Sequence, residues 1–98
     1  MPSFRIAAAA RRDLLHIYDF SSDTFGKYQA DAYFAGLDRA FSLIADFPRI
    51  GTRVDVLRTG YRRFRFQSHY IFYTEEADHI VIRKLLHVRQ NPHAKLFE

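Results

Sequence analysis

The sequence predicts an α+β fold in the order strand, helix, helix, strand, strand, strand, with a helix hairpin packed on a mainly antiparallel sheet. A long run of apolar residues at three- and four-residue spacing stops at a proline, and beyond it the apolar period falls to two. The connections are also short, which suits elements that are antiparallel neighbours in space. With 98 residues, 48% of them hydrophobic and 16% aromatic, residues 1–98 suit one compact domain.

"SFRIA" alternates, with Phe4 and Ile6 on one side, as expected of a first strand. From Ala8 the pattern becomes helical: Leu14, Ile17, Tyr18, Ser21 and Phe25 fall near one face, and Gly26 ends the helix. The second helix is the most strongly patterned, with Ala30, Tyr33, Phe34, Leu37, Ala40, Phe41, Ile44 and Phe47 all expected on its buried stripe. Pro48 disfavours helical geometry at Phe47, and "PRIG" supplies the turn. "TRVDVLRTG" reads as a polar loop. In Tyr61–Phe66, Phe64 and Phe66 share a face with Arg62, while Arg63 and Arg65 share the other with Tyr61. "HYIFYTEE" and "HIVIRKLLH" are the last two strands. Strict alternation sets Ile80, Ile82 and Leu86 on one face of the final strand, and Val81 and Leu85 on the other.

Composition excludes several function classes. The chain has no cysteine, so disulfides, thiolate metal ligands and a cysteine nucleophile are absent. No apolar run approaches the roughly 20 residues of a membrane span, and "MPSFRIAAAARRD" lacks the features of a signal peptide, so a cytoplasmic protein without membrane contact is expected. His69 and His79 have no ligand company at useful spacing, so no metal and no cofactor are expected. The net charge of +4 is unevenly spread: residues 1–48 hold five basic and six acidic side chains, residues 49–98 ten and five. Arg58, Arg62, Arg63 and Arg65 form a run with no acid, suited to phosphate, to an acidic protein or simply to solvent.

Four separated pieces carry a family resemblance: "AARRDLLHIYDF" opening the first helix, "FPRIG" closing the second, "LRTGYRRFRFQSHYIFY" across a loop and two strands, and "IRKLLHVRQ" at the end of the sheet. In this order the sequence resembles ParE-type toxins of the RelE/ParE superfamily, the toxin half of bacterial type II toxin–antitoxin pairs. Members often open the first helix with a Ser/Thr cap and proline. Here "IAAAA" stands in that place, which weakens the helix start by about 1 kcal/mol.

The resemblance implies one of two activities. RelE-like members cut messenger RNA on the ribosome, whereas ParE-like members poison DNA gyrase without catalysing a reaction. Cleavage at a 2′-hydroxyl requires a base, an acid and cations around the phosphate. The candidate nuclease set is His87 with Arg63, Arg65 and Arg83, but no tyrosine follows Tyr73. The non-catalytic reading is therefore preferred. A histidine at a strand end has an alternative, structural role in hydrogen-bonding the backbone.

The expected partners are a ParD-like antitoxin, DNA gyrase as target, and operator DNA only indirectly through the antitoxin. The resemblance places the target contacts near the C-terminus, at Arg83, Lys84, His87, Arg89, Asn91, Pro92 and Lys95. Antitoxin contacts are expected at Tyr18, Phe25, Tyr33, Tyr61, Arg63, Arg65 and Tyr73, as exposed aromatics beside a basic patch. Two helices cover one face of a sheet, so the apolar residues on the other face require either the C-terminal tail or the antitoxin over them.

Overall fold

The computed structural model describes residues 3–95, and of Ala94 and Lys95 the backbone alone. A three-residue strand, β1 (Phe4–Ile6), leads into α1 (Ala8–Phe25) and α2 (Lys27–Asp46), followed by β2 (Thr52–Arg53), β3 (Tyr61–Phe66), β4 (His69–Glu75), β5 (Ile80–His87) and a short α3 (Pro92–Lys95). The five strands form one sheet in the order β1-β5-β4-β3-β2. All neighbours are antiparallel except β1, which runs parallel to β5. The predicted order of elements holds. The additions are β2, within the segment read as a polar loop, and α3.

One residue, Gly26 at φ 92°, separates the two helices, a left-handed conformation that favours glycine. The hairpin is clasped by Tyr18, whose hydroxyl donates to Asp31 (2.7 Å) and whose ring meets the Phe34 edge. The start of α1 carries no side-chain cap, as "IAAAA" implies; the Ala7 N–H donates to Ile82 O in β5. The helices press onto one face of the sheet. Leu37, Phe41 and Ile44 of α2 join Ala10 of α1 and Ile71, Tyr73, Ile80, Ile82 and Leu85 of the strands in the main core. At Gly36 the approach is close enough that a Cβ would lie 2.5 Å from the Phe66 ring.

Phe47 departs from its expected place on the buried stripe: it is 61% exposed. The helix ends at Asp46, and Phe47 has left helical geometry (φ −131°, ψ 74°), so helical spacing no longer sets its direction. The exit turn is held by Tyr73 instead. Its buried hydroxyl donates to Pro48 O (2.7 Å) and accepts the Gly51 N–H (2.8 Å), and Arg62 donates to Gly51 O. A Cβ at Gly51 would meet that hydroxyl at 2.5 Å, which accounts for the glycine of "FPRIG".

The last strand also departs from strict alternation. Phe72 pairs with Lys84 and Tyr73 with Ile82, leaving Arg83 as the extra residue of a β-bulge. The side-chain phase reverses there. Leu85, not Leu86, joins Ile80 and Ile82 under the helices, and Leu86 crosses to the opposite face with Phe72 and Val54. On that opposite face, among the described residues, the 54–60 loop packs Val54 and Leu57 against Phe72 and Leu86.

Asp13 of α1 holds the bulge. One carboxylate oxygen accepts from Lys84 Nζ (3.0 Å) and the other from the Leu85 N–H (3.0 Å). The two side chains are only 15% and 17% exposed. Asp13→Ala strands the Lys84 charge and leaves the Leu85 N–H without its acceptor, and is expected to cost roughly 3 kcal/mol in urea unfolding, with part recovered in D13A/K84M. Ala7→Ser supplies the missing cap and is expected to add about 1 kcal/mol, read in the same titration.

Candidate functional site

Two surfaces of opposite chemistry flank the sheet. On the helix side, α1, α2 and the ends of β4 and β5 enclose a cleft of about 580 Å³. Its lining includes Phe20 and Phe25 of α1, Tyr33 of α2, and His69 and His87 of the strands. None of the residues lining it is Lys, Arg, Asp or Glu. Such a wall favours an apolar occupant with a few hydrogen bonds over a phosphate.

The two histidines are direct partners across β4 and β5, with ring centroids 5.5 Å apart and planes at 84°. The Tyr33 hydroxyl lies 2.7 Å from His69 Nδ1, tying α2 to the strand end. Burial, and secondarily the neighbouring His87, push the His69 pKa down to about 4, because a charged imidazole there would lose hydration with no anion to replace it. His87 is committed to backbone: its Nδ1 accepts the Arg89 N–H (3.2 Å), its N–H donates to Gln90 Oε1 (2.8 Å), and its carbonyl accepts the Gln90 N–H.

On the other face, Arg63 lies 4.5 Å over the Tyr70 ring, and Arg58 lies 5.5 Å from that of Tyr61. Arg65 is exposed and donates to Gln67 O. Arg83 does not complete this cluster, because β4 separates β5 from β3. It donates to the Thr74 hydroxyl (3.0 Å) and lies 3.7 Å from Glu76.

The predicted site residues therefore scatter. Phe25 is 65% exposed at the hairpin tip, Tyr18 and Tyr33 are partly buried and hydrogen-bonded across elements, and Tyr61 packs under the 54–60 loop. Tyr73 is not a surface contact: it is fully buried and holds the helix exit turn. Lys84 is not a free cation either, since Asp13 neutralises it where the bulge turns it toward α1. Arg89 is exposed, and Asn91 Oδ1 accepts the His93 N–H at the start of α3, whose first residue is Pro92. The Lys95 side chain and Leu96, Phe97 and Glu98 lie outside the described residues. Of the candidate nuclease set, none of Arg63, Arg65 or Arg83 lines the cleft that holds His87.

Sequence reasoning missed the partnership of His69 with His87. The pairing Glu75–Ile80 beside the turn, continued without an extra residue, sets Leu86 opposite His69; only the bulge brings His87 there. Two histidines at the outer ends of adjacent predicted strands were the available signal.

The chain matches, over residues 4–92, the profile of the family described as the ParE toxin of the type II toxin–antitoxin system parDE. The chain belongs to the ParE toxin family. Toxin ParE1 of Caulobacter vibrioides is 34% identical over 96 residues, spanning 98% of this chain and 99% of that toxin. Toxin ParE1 of Mycobacterium tuberculosis is 37% identical over 90 residues, 90% of this chain and 91% of its own. In fold, this ParE-family toxin resembles a chain of the chromosomal ParDE TA system from P. aeruginosa, with a TM-score of 0.78 at 18% identity, covering 91% of this chain and 98% of that one. Among its described residues no helix is long and apolar enough to cross a membrane.

The depressed His69 pKa has a consequence for stability. The unfolded chain takes up this proton near pH 6.5 and the folded chain only near 4, so below 6.5 protonation favours unfolding. Stability is expected to fall as pH drops from 6.5 toward 4, by at most roughly 3 kcal/mol from this group. His69→Gln should remove that component, seen as a smaller difference between urea midpoints at pH 7 and near pH 4 than in the parent.

Proposed function

We propose that this toxin arrests growth in the bacterial cytoplasm by binding DNA gyrase and stalling its covalent DNA intermediate, without catalysing a reaction of its own, and that a cognate ParD-like antitoxin neutralises it. One observation carries the non-catalytic half of the reading: the groups that RNA cleavage would need are not assembled. His87 lines a cleft with no Lys or Arg among its described lining residues and has its Nδ1 engaged by backbone, while Arg63 and Arg65 project from β3 and Arg83 is tied to Thr74 and Glu76. A phosphate beside His87 would meet no Lys or Arg among the described residues lining that cleft.

The antitoxin's role draws on family membership and on the pairing named for the P. aeruginosa neighbour. We assign its contacts to Phe25, Tyr18 and Tyr33 on the helix side and to Tyr61, Arg63 and Arg65 on the far face, so that it wraps the domain. Operator DNA is reached through the antitoxin. The target contacts fall to Arg83, His87, Arg89, Asn91, Pro92 and Lys95, with Tyr73 and Lys84 withdrawn from the two sets.

Purified gyrase with antitoxin-free toxin is expected to accumulate linearised DNA, and added antitoxin to abolish it. Arg89→Ala, or removal of residues 91–98, should reduce that cleavage at least about tenfold while antitoxin binding survives. The reading fails if gyrase is unaffected by protein that still arrests growth. His87→Ala then becomes decisive, since loss of an acid or base lowers a cleavage rate by on the order of a hundredfold or more.

A further inference from the structure

The face turned away from the helices carries a layered arrangement that the antitoxin and gyrase readings do not use fully. Its floor is apolar, with Phe72 and Leu86 buried beneath Val54, Leu57, Tyr61 and Tyr70. Guanidinium groups lie above two of the rings: Arg63 on Tyr70 and Arg58 on Tyr61. A guanidinium stacked on a ring keeps its N–H edge outward and loses little freedom on meeting an anion. Arg63 and Arg65 leave the same side of β3 two residues apart, roughly 6.6 Å along the strand.

Among the described residues no carboxylate lies within ion-pair distance of Arg63 or Arg65. The nearby acids are already engaged. Asp55 accepts from Arg53 and from the Gly60 N–H, and Glu76 accepts from Thr74 and pairs with Arg83. The charges of Arg63 and Arg65 are thus left without a carboxylate from the described residues.

We propose that this face binds a single nucleic-acid strand, Arg63 and Arg65 taking phosphodiester oxygens while the stacked Arg–Tyr layer offers flat surfaces to the bases. An acidic peptide would be served by any exposed cation and gains nothing from the stacked planes, whereas every base has a face to lay on them. Occupation of the same arginines by the antitoxin would exclude the strand.

The test is fluorescence anisotropy of labelled oligonucleotides of about 16 nucleotides, as single-stranded DNA, RNA and duplex, with antitoxin-free toxin. The assay contains neither gyrase nor antitoxin, so its failure is distinct from failure of the gyrase reading. The expected result is saturable binding of single strands that weakens between about 50 and 200 mM salt. R63A/R65A should bind at least about tenfold more weakly, with a salt slope smaller by roughly 1.4. R12A/R39A, which removes two exposed helix arginines, should match the parent. Absence of saturable binding at the lowest salt, parental affinity in a folded R63A/R65A, or tighter binding of duplex than of either single strand would each overturn the proposal. If R63A/R65A does not fold, R63K/R65K keeps the charge without the planar stack, and parental affinity in that variant overturns it equally.

Discussion

The arrangement of this domain depends on the Asp13 carboxylate and the bulge it holds in β5. A bulge leaves a local gap in the ladder and turns neighbouring side chains out of phase. Here the gap is answered from another element: one oxygen of Asp13 takes the Leu85 N–H, and the other takes the Lys84 ammonium. Helix α1 is thereby fixed to the strand at the point where the strand changes phase. Ile80, Ile82 and Leu85 can then all face α2, although their spacing in sequence is not that of a regular strand.

The same phase change separates the two surfaces. It directs Leu86 into the far-side cluster with Phe72 and Val54, and it sets His87 opposite His69 in the lining of the cleft. The helix side then holds paired imidazoles, a phenol and aromatic walls. The far side holds an apolar floor under ordered arginines. Each surface offers a different chemistry, and the sheet lies between them. A charged ligand has little to gain in the cleft, and an apolar one has little to gain among the arginines.

Much of the fold was legible because local rules and long-range packing agree. The α2 stripe through Leu37, Phe41 and Ile44 is where its spacing puts it, and Gly26 and Pro48 stop the helices for reasons confined to their own backbones. Phe64 and Phe66 face the helices, and Arg63 and Arg65 face away, as a period of two requires. Less of the candidate site was legible. Tyr73, Tyr33 and Tyr18 look alike in sequence, yet one is sealed in the core holding Gly51, one is bonded to His69 and one clasps the hairpin. Which role an aromatic takes depends on what packs over it.

The order of elements, the uneven charge, the absence of thiol chemistry and the family resemblance follow from the chain alone, because each is a property read locally or in order. Which arginines share a surface, that Lys84 is neutralised, and that His87 belongs with His69 emerge from the packed fold and from nothing short of it. Those depend on strand order and register, and register turns on one extra residue, Arg83, in a bulge held by Asp13, which lies 72 positions before the Leu85 N–H that it accepts.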